Sequence, residues 1–104
     1  MLELYQAEWC PYSHRVRQRL TELGLDFVAR QVEADPDGRA ALRELAGDAS
    51  IPVLVDGDTV VTDPDRIVAY LDERHEFRAD AGEHRAKAIE EAELLGQAPP
   101  AWPR

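Results

Sequence analysis

Cys10 is the single cysteine of the chain and lies in the stretch EWCPYSHRVR, residues 8–17. A cysteine followed by proline, an aromatic and a small residue invites a redox reading, yet Ser13 stands where a second sulfur would be. If a helix opens at Pro11, the sulfur lies at its N-terminal end, where free N–H groups and the helix dipole favour an anion. The thiolate is the nucleophilic form, so such a position suits thiol chemistry. Proline loses nothing in a first turn, because its missing N–H would have no partner there. Ser13 can donate a hydrogen bond to a thiolate but cannot resolve a disulfide by attack. His14, Arg15 and Arg17 add positive charge to this stretch and Glu8 opposes it. The alternative is a buried, inert cysteine packed as a small apolar residue. Its place between Trp9 and Pro11, just after a strand, argues for a reactive thiol at a loop top.

Two further stretches could face that thiol. Ile51-Pro52 opens an apolar run, and a proline there removes a ladder donor from an apparently central strand. A cis bond at a turn before the strand would explain it, and would offer the backbone of Ile51 to an extended, peptide-like ligand. An edge strand with a trans proline is the other solution. In Thr62-Asp63-Pro64-Asp65-Arg66, Asp63 is a natural N-cap and Asp65 suits the first turn of a helix. The same helix start could hold a small ligand, its N–H groups on a carboxylate and Asp63 or Asp65 on an ammonium. Cys10 and His14 are four apart and could share a helix face, but no other cysteine completes a metal site, so none is expected.

The elements that must position these residues follow from periodicity. LELYQ (2–6) alternates as a strand, and Val16, Leu20 and Leu23 form a helical stripe that stops at Gly24. Residues 25–32 are rich in strand formers, with Phe27 and Val28 expected to be central, and residues 38–46 read as a short helix ended by Gly47. IPVLV (51–55) and TVV (59–61) flank an Asp-Gly-Asp turn and predict a hairpin. A helix opening at Pro64 presents Ile67, Val68 and Leu71. The order β-α-β-α-β-β-α predicts an α/β fold: two parallel β-α-β crossings plus an antiparallel hairpin, giving a mixed four-stranded sheet with helices on both faces. Beyond His75, residues 76–83 read as a polar link, 84–95 as one extra C-terminal helix, and QAPPAWPR as a tail that its prolines keep from continuing that helix. We therefore expect a domain over 1–75, with 76–104 packed on it.

Composition narrows the function classes. The 104 residues hold 44% hydrophobic and 32% charged residues, an ordinary composition for a soluble domain. A formal charge of −9 argues against nucleic acid and anionic membranes as partners. Lys87 is the single lysine, so arginine supplies nearly all positive charge. One cysteine excludes an internal disulfide, the N-terminus has no basic region, and no run reaches membrane-spanning length, so a cytoplasmic protein is expected.

The three stretches, in this order, resemble the thioredoxin superfamily, and within it the glutaredoxins and the N-terminal domain of glutathione S-transferases. CPYS (10–13) is similar to the glutaredoxin active-site tetrad with serine in place of the second cysteine, and SIPVLVDGDTVVTDPDRIVAYLDE (50–73) resembles the transferase-type half. The resemblance covers residues 1 to about 75 and implies a thioredoxin-like fold with a cis Pro52 beside Cys10. It implies a glutathione-like thiol between them, with Tyr12, the backbone of Ile51, Pro52, Thr62 and Asp63 as its contacts. Cys10 and Ser13 would be the catalytic residues. The chain departs from the family pattern at Glu8, where glutaredoxins commonly carry a nearby lysine, and at Asp63-Pro64, where transferases usually show Glu-Ser. Residues 76–104 are too few for the transferases' all-helical second domain, so full transferase activity is not expected.

The function expected is a one-cysteine, glutaredoxin-like thiol–disulfide oxidoreductase. Its co-substrate would be glutathione or an equivalent small thiol, and its substrates disulfide-bearing protein targets. The alternatives are an iron–sulfur protein, in which external thiols complete the ligation offered by Cys10, and a non-catalytic adaptor that keeps only the fold. A monomer or weak dimer is expected.

Overall fold

The computed structural model describes residues 1–94, so the Pro-rich tail expected at 97–104 lies outside the described residues. The chain runs β1 (Leu2–Gln6), α1 (Pro11–Glu22), β2 (Phe27–Gln31), a 3-10 turn (Pro36–Gly38), α2 (Ala40–Ala46), β3 (Val53–Asp56), β4 (Thr59–Thr62), α3 (Pro64–Arg74) and α4 (Ala81–Leu94). The four strands form one mixed sheet in the order β2-β1-β3-β4. This is the thioredoxin-like α/β architecture anticipated from the element order.

Alternation in β1 sends Leu2 and Leu4 to one face. There they meet Val16, Leu20 and Leu23 of α1, Leu54 of β3, and Ile67, Val68 and Leu71 of α3 in a single core cluster. The i, i+4, i+7 spacing in α1 makes that stripe continuous, and each fully buried leucine contributes about 1.5–3 kcal/mol by leaving water. Tyr5, on the opposite side of β1, lines a small cavity with Arg39 and with Leu42 of α2. The helices thus cover both faces of the sheet.

One pairing differs from expectation. β1 and β2 are parallel, with Leu2 opposite Phe27, but β3 runs antiparallel to β1, with Leu2 opposite Asp56 and Tyr5 opposite Val53. The second crossing is therefore not a parallel one. α2 has seven residues. At about 1.5 Å per residue it is shorter than a five-residue strand at about 3.3 Å per residue. With loops on either side, α2 does not carry the chain back along the sheet, and β3 enters at the edge where β2 ends. β2 is also an edge strand, and it begins at Phe27, with Phe27 and Val28 half-buried.

The hairpin forms as predicted, with Asp56 opposite Thr59 and the two-residue turn on Gly57-Asp58. Gly57 has φ +60, the first turn position of a type II′ hairpin that glycine favours. The last helix begins at Ala81, three residues earlier than the sequence suggests. It is tied to α1 through Glu22, whose fully buried carboxylate accepts from Arg85 Nη2 at 2.6 Å and Gln18 Nε2 at 3.1 Å. The Arg78 N–H donates to the Glu22 carbonyl at 3.0 Å, and the Arg19 guanidinium lies 4.9 Å from the Phe77 ring centre.

Candidate functional site

Strand register gathers the candidate residues at one edge of the sheet. Tyr5 pairs with Val53 and Val53 with Thr62, so the end of β1, the start of β3 and the end of β4 coincide. Cys10 follows β1 there, Pro52 immediately precedes β3, and Asp63 immediately follows β4. The guanidinium of Arg15, near the start of α1, pairs with Asp65 in the first turn of α3. That ion pair ties together the two helix starts.

Cys10 is the N-cap of α1, with Pro11 in the first turn, and among the described residues no side chain caps the helix. The Cys10 carbonyl accepts from the His14 N–H at 3.0 Å, and its own N–H donates to the Ala7 carbonyl at 3.1 Å. The first-turn N–H groups of Tyr12 and Ser13 therefore have no competing side-chain acceptor, a setting suited to a sulfur anion. Cys10 is 6% exposed and lines an open depression of about 490 Å³ with Glu8, Trp9, Pro11 and His14. Ser13 is fully buried, and its Oγ accepts from the Ala7 N–H at 3.4 Å, which holds the loop before the cysteine. Trp9 and Tyr12 are 65% and 54% exposed beside it.

The positive charge suggested by His14, Arg15 and Arg17 is mostly spoken for. Arg15 is buried and committed to Asp65. Arg17 donates to Gln6 Oε1 and to the Ala7 and Glu8 carbonyls, and it pairs with the Glu8 carboxylate at 3.4 Å. Burial, with the neighbouring Arg17 charge, lowers the His14 pKa against an opposing pull from Glu8, so the imidazole is neutral at pH 7. The helix start, not a surplus of cations, is what the fold offers the thiol.

Ile51, Pro52, Thr62 and Asp63 line one pocket of about 380 Å³ with Ala46, Asp48, Ser50 and Pro64. Four of the sequence-predicted binding residues are thereby brought together; Cys10 and Tyr12 are not among those lining it. The Ile51–Pro52 bond is cis, and Pro52 is buried. Asp63 caps α3, its Oδ2 accepting from the Arg66 N–H at 3.1 Å. It does so with φ 72 and ψ 126, a conformation that costs a non-glycine residue about 1–3 kcal/mol. Strain of that size beside a pocket is a common mark of a functional position. Among the described residues, no group of three or more His, Cys, Asp or Glu side chains could hold a metal ion.

Sequence reasoning missed Arg39. It is 5% exposed and spends its guanidinium on three carbonyls: Glu33 at 2.7 Å, Ala49 at 2.9 Å and Ala34 at 3.2 Å. It thereby closes the loop from β2 onto the segment that leads to Ile51-Pro52. An arginine at a helix start gives no sequence signal for this role.

A four-stranded sheet in this order, with a thiol at the first helix start and a cis-proline before β3 at the same edge of the sheet, defines a thioredoxin-like protein. Residues 4–84 match the family described as the glutathione S-transferase N-terminal domain, and the chain belongs to that family. It is 36% identical over 58 residues to a glutaredoxin of Pseudomonas aeruginosa, covering 56% of this chain and 69% of that protein. It is 32% identical over 80 residues to glutathione S-transferase Z2 of Arabidopsis thaliana, covering 71% of this chain and 34% of that enzyme. A rice glutathione S-transferase solved in complex with glutathione superposes with a TM-score of 0.63 at 27% identity, covering 91% of this chain and 47% of the rice chain. The chain therefore spans a third to a half of these transferases. Among the described residues no helix is long and apolar enough to cross a membrane.

Proposed function

We propose that this chain is a one-cysteine, glutaredoxin-like thiol–disulfide oxidoreductase that acts on mixed disulfides between target proteins and a glutathione-type small thiol. The observation that carries the reading is Cys10 at an uncapped helix start with Pro11 in the first turn. The Cys10 thiolate attacks the small-thiol sulfur of the mixed disulfide. An enzyme–small-thiol disulfide forms, and the target leaves as a thiolate that takes up a proton. A second small-thiol thiolate then attacks the small-thiol sulfur of that adduct, giving the oxidised small-thiol dimer and freeing Cys10. Overall, one mixed disulfide and one free small thiol give one target thiol and one small-thiol disulfide, so a disulfide is exchanged and Cys10 is regenerated. No second protein cysteine is required, which fits Ser13.

In this scheme the pocket of Ile51, Pro52, Thr62 and Asp63 holds the small thiol, and Tyr12, exposed in the first turn of α1, supplies a further contact to it. Ser13 keeps the Ala7–Cys10 loop in place. Supporting the reading are the match to the glutathione S-transferase N-terminal domain family and the identity to a glutaredoxin. The test is turnover of a glutathionylated peptide by the purified protein beside Cys10→Ser, with intact-mass detection of the adduct. Turnover and a single small-thiol adduct, both lost in Cys10→Ser, are expected. Turnover that survives the substitution, or no adduct with the unaltered protein, sinks the proposal.

A further inference from the structure

The small-thiol pocket carries a charge that selects among thiols. Its charged lining residues are Asp48 and Asp63, and among the described residues no lysine, arginine or histidine lines it. Asp48 is held ionised: its Oδ1 accepts from the Ser50 N–H at 3.0 Å and Ser50 Oγ at 3.1 Å, and these bonds lower its pKa from the ordinary value. The arginines nearby are engaged elsewhere. Arg39 is buried on its three carbonyls, and Arg15 is paired with Asp65; Arg43 donates to the Pro36 carbonyl at 2.6 Å and pairs with Asp37 at 3.9 Å, so its charge reaches Asp48 only as the smallest influence on that carboxyl. Arg66 lines a different groove, with Tyr70 and Arg74.

The helix start, which elsewhere would receive a carboxylate, is also depleted of donors. Pro64 has no N–H, the Arg66 N–H is taken by the Asp63 side chain, and the Ile67 N–H donates to the Asp63 carbonyl at 2.9 Å. Only the Asp65 N–H is left for a ligand. A ligand carboxylate thus meets one donor and two carboxylates, whereas a ligand ammonium meets two acceptors. The overall charge of −9 acts in the same direction.

Resting on the oxidoreductase reading above, we infer that the pocket prefers a small thiol that carries an ammonium and is less anionic than glutathione, with at most one carboxylate. Glutathione has two carboxylates and one ammonium, so at least one of its carboxylates has no cation to meet in this pocket. The acidic pair does not create the site; it ranks the ligands that the site accepts.

The probes are one peptide presented as its mixed disulfide with glutathione, with the glycyl monoethyl ester of glutathione, and with N-acetylated glutathione. The ester removes one carboxylate and the acetyl group removes the ammonium. At low salt the KM for the ester is expected to lie about two- to tenfold below that for glutathione, and the KM for the acetylated compound above it by a similar factor. The contrast shrinks as salt rises to about 1 M, where the screening length is near 3 Å. Asp48→Asn narrows the ester-to-glutathione ratio. Equal or lower KM for glutathione, or a ratio unmoved by Asp48→Asn, overturns the inference while turnover persists. No Cys10-dependent turnover with any of the three overturns the oxidoreductase reading itself.

Discussion

Arg39 makes the placement of the pocket testable without touching the thiol. Replacing it with methionine keeps much of the side chain's length and removes three charge-assisted hydrogen bonds, to Glu33, Ala34 and Ala49. Such bonds contribute about 1.5–3 kcal/mol each when the acceptor has no substitute. Glu33 and Ala34 are exposed, so water can replace the arginine there; Ala49 is half-buried and its carbonyl is less easily served. One full bond and two discounted ones sum to about 2–4 kcal/mol. For a domain of this size that lowers the melting temperature by at least about 8 °C. Ala49 is two residues before Ile51, so releasing it lets the pocket wall move. The KM for a glutathionylated peptide is then expected to rise, while the rate of Cys10 alkylation by iodoacetamide stays as in the unaltered protein. Arg39→Lys is expected to recover only part of the loss, since one ammonium cannot span three diverging carbonyls. A melting temperature lowered by less than about 3 °C, together with an unchanged KM, would refute the assignment of Arg39 as the clamp on this segment.

Three further outcomes follow from other contacts. Arg85→Met removes the main partner of the buried Glu22 carboxylate; because Arg85 is itself part-exposed, the loss is expected at about 1–3 kcal/mol, with faster hydrogen exchange across 81–94 than across α1. Unaltered exchange in α4 would show that the pair does not hold the helix. Leu54→Ala, in the fully buried centre of the sheet, is expected to destabilise by about 2–5 kcal/mol in urea unfolding; a change under about 1 kcal/mol would contradict the core described. Asp48 has its pKa lowered from 3.8, chiefly by the backbone and side-chain bonds from Ser50. Its contribution is therefore present above that value and fades as pH falls below it through the lowered folded pKa. Ser50→Ala is expected to move the Asp48 carboxyl titration, read by NMR, back toward the ordinary range.

The parts of the fold legible in the sequence were those governed by local chemistry. Period-two and period-3.6 patterns marked β1, α1 and α3, and Pro11 and Pro64 marked two helix starts because a proline has one natural place in a helix. Pro52 was legible as an anomaly: a proline at the mouth of a central strand needs a special backbone, although the choice between cis and trans was not written in the residues around it. The direction of β3 was not legible, because it depends on where a seven-residue helix can deliver the chain, a matter of length against sheet width. The strand expected within 25–32 begins at Phe27, and its place at the edge of the sheet was not legible, since strand propensity does not tell an edge from a centre.

The candidate site shows the same division more sharply, because residue types were legible there and charges were not. Reading His14, Arg15 and Arg17 as positive support for Cys10 counts side chains by their formal charge. In the fold Arg15 answers Asp65, Arg17 answers Glu8, and His14 is neutral at pH 7, so little of that charge is free to act on the thiol. Glu8, expected to weaken the site, is offset by Arg17 in the same contact. On the opposite side, Asp48 drew no notice in the sequence and lies on the pocket wall with its carboxylate kept ionised. In a chain whose acids outnumber its bases, arginines are drawn into pairs, and a pocket is left acidic unless the fold reserves a cation for it. Among the described residues no cation lines this one. In the function proposed here, selectivity between thiols rests on the pocket's two carboxylates, Asp48 and Asp63, while reactivity rests on the start of α1 at Cys10.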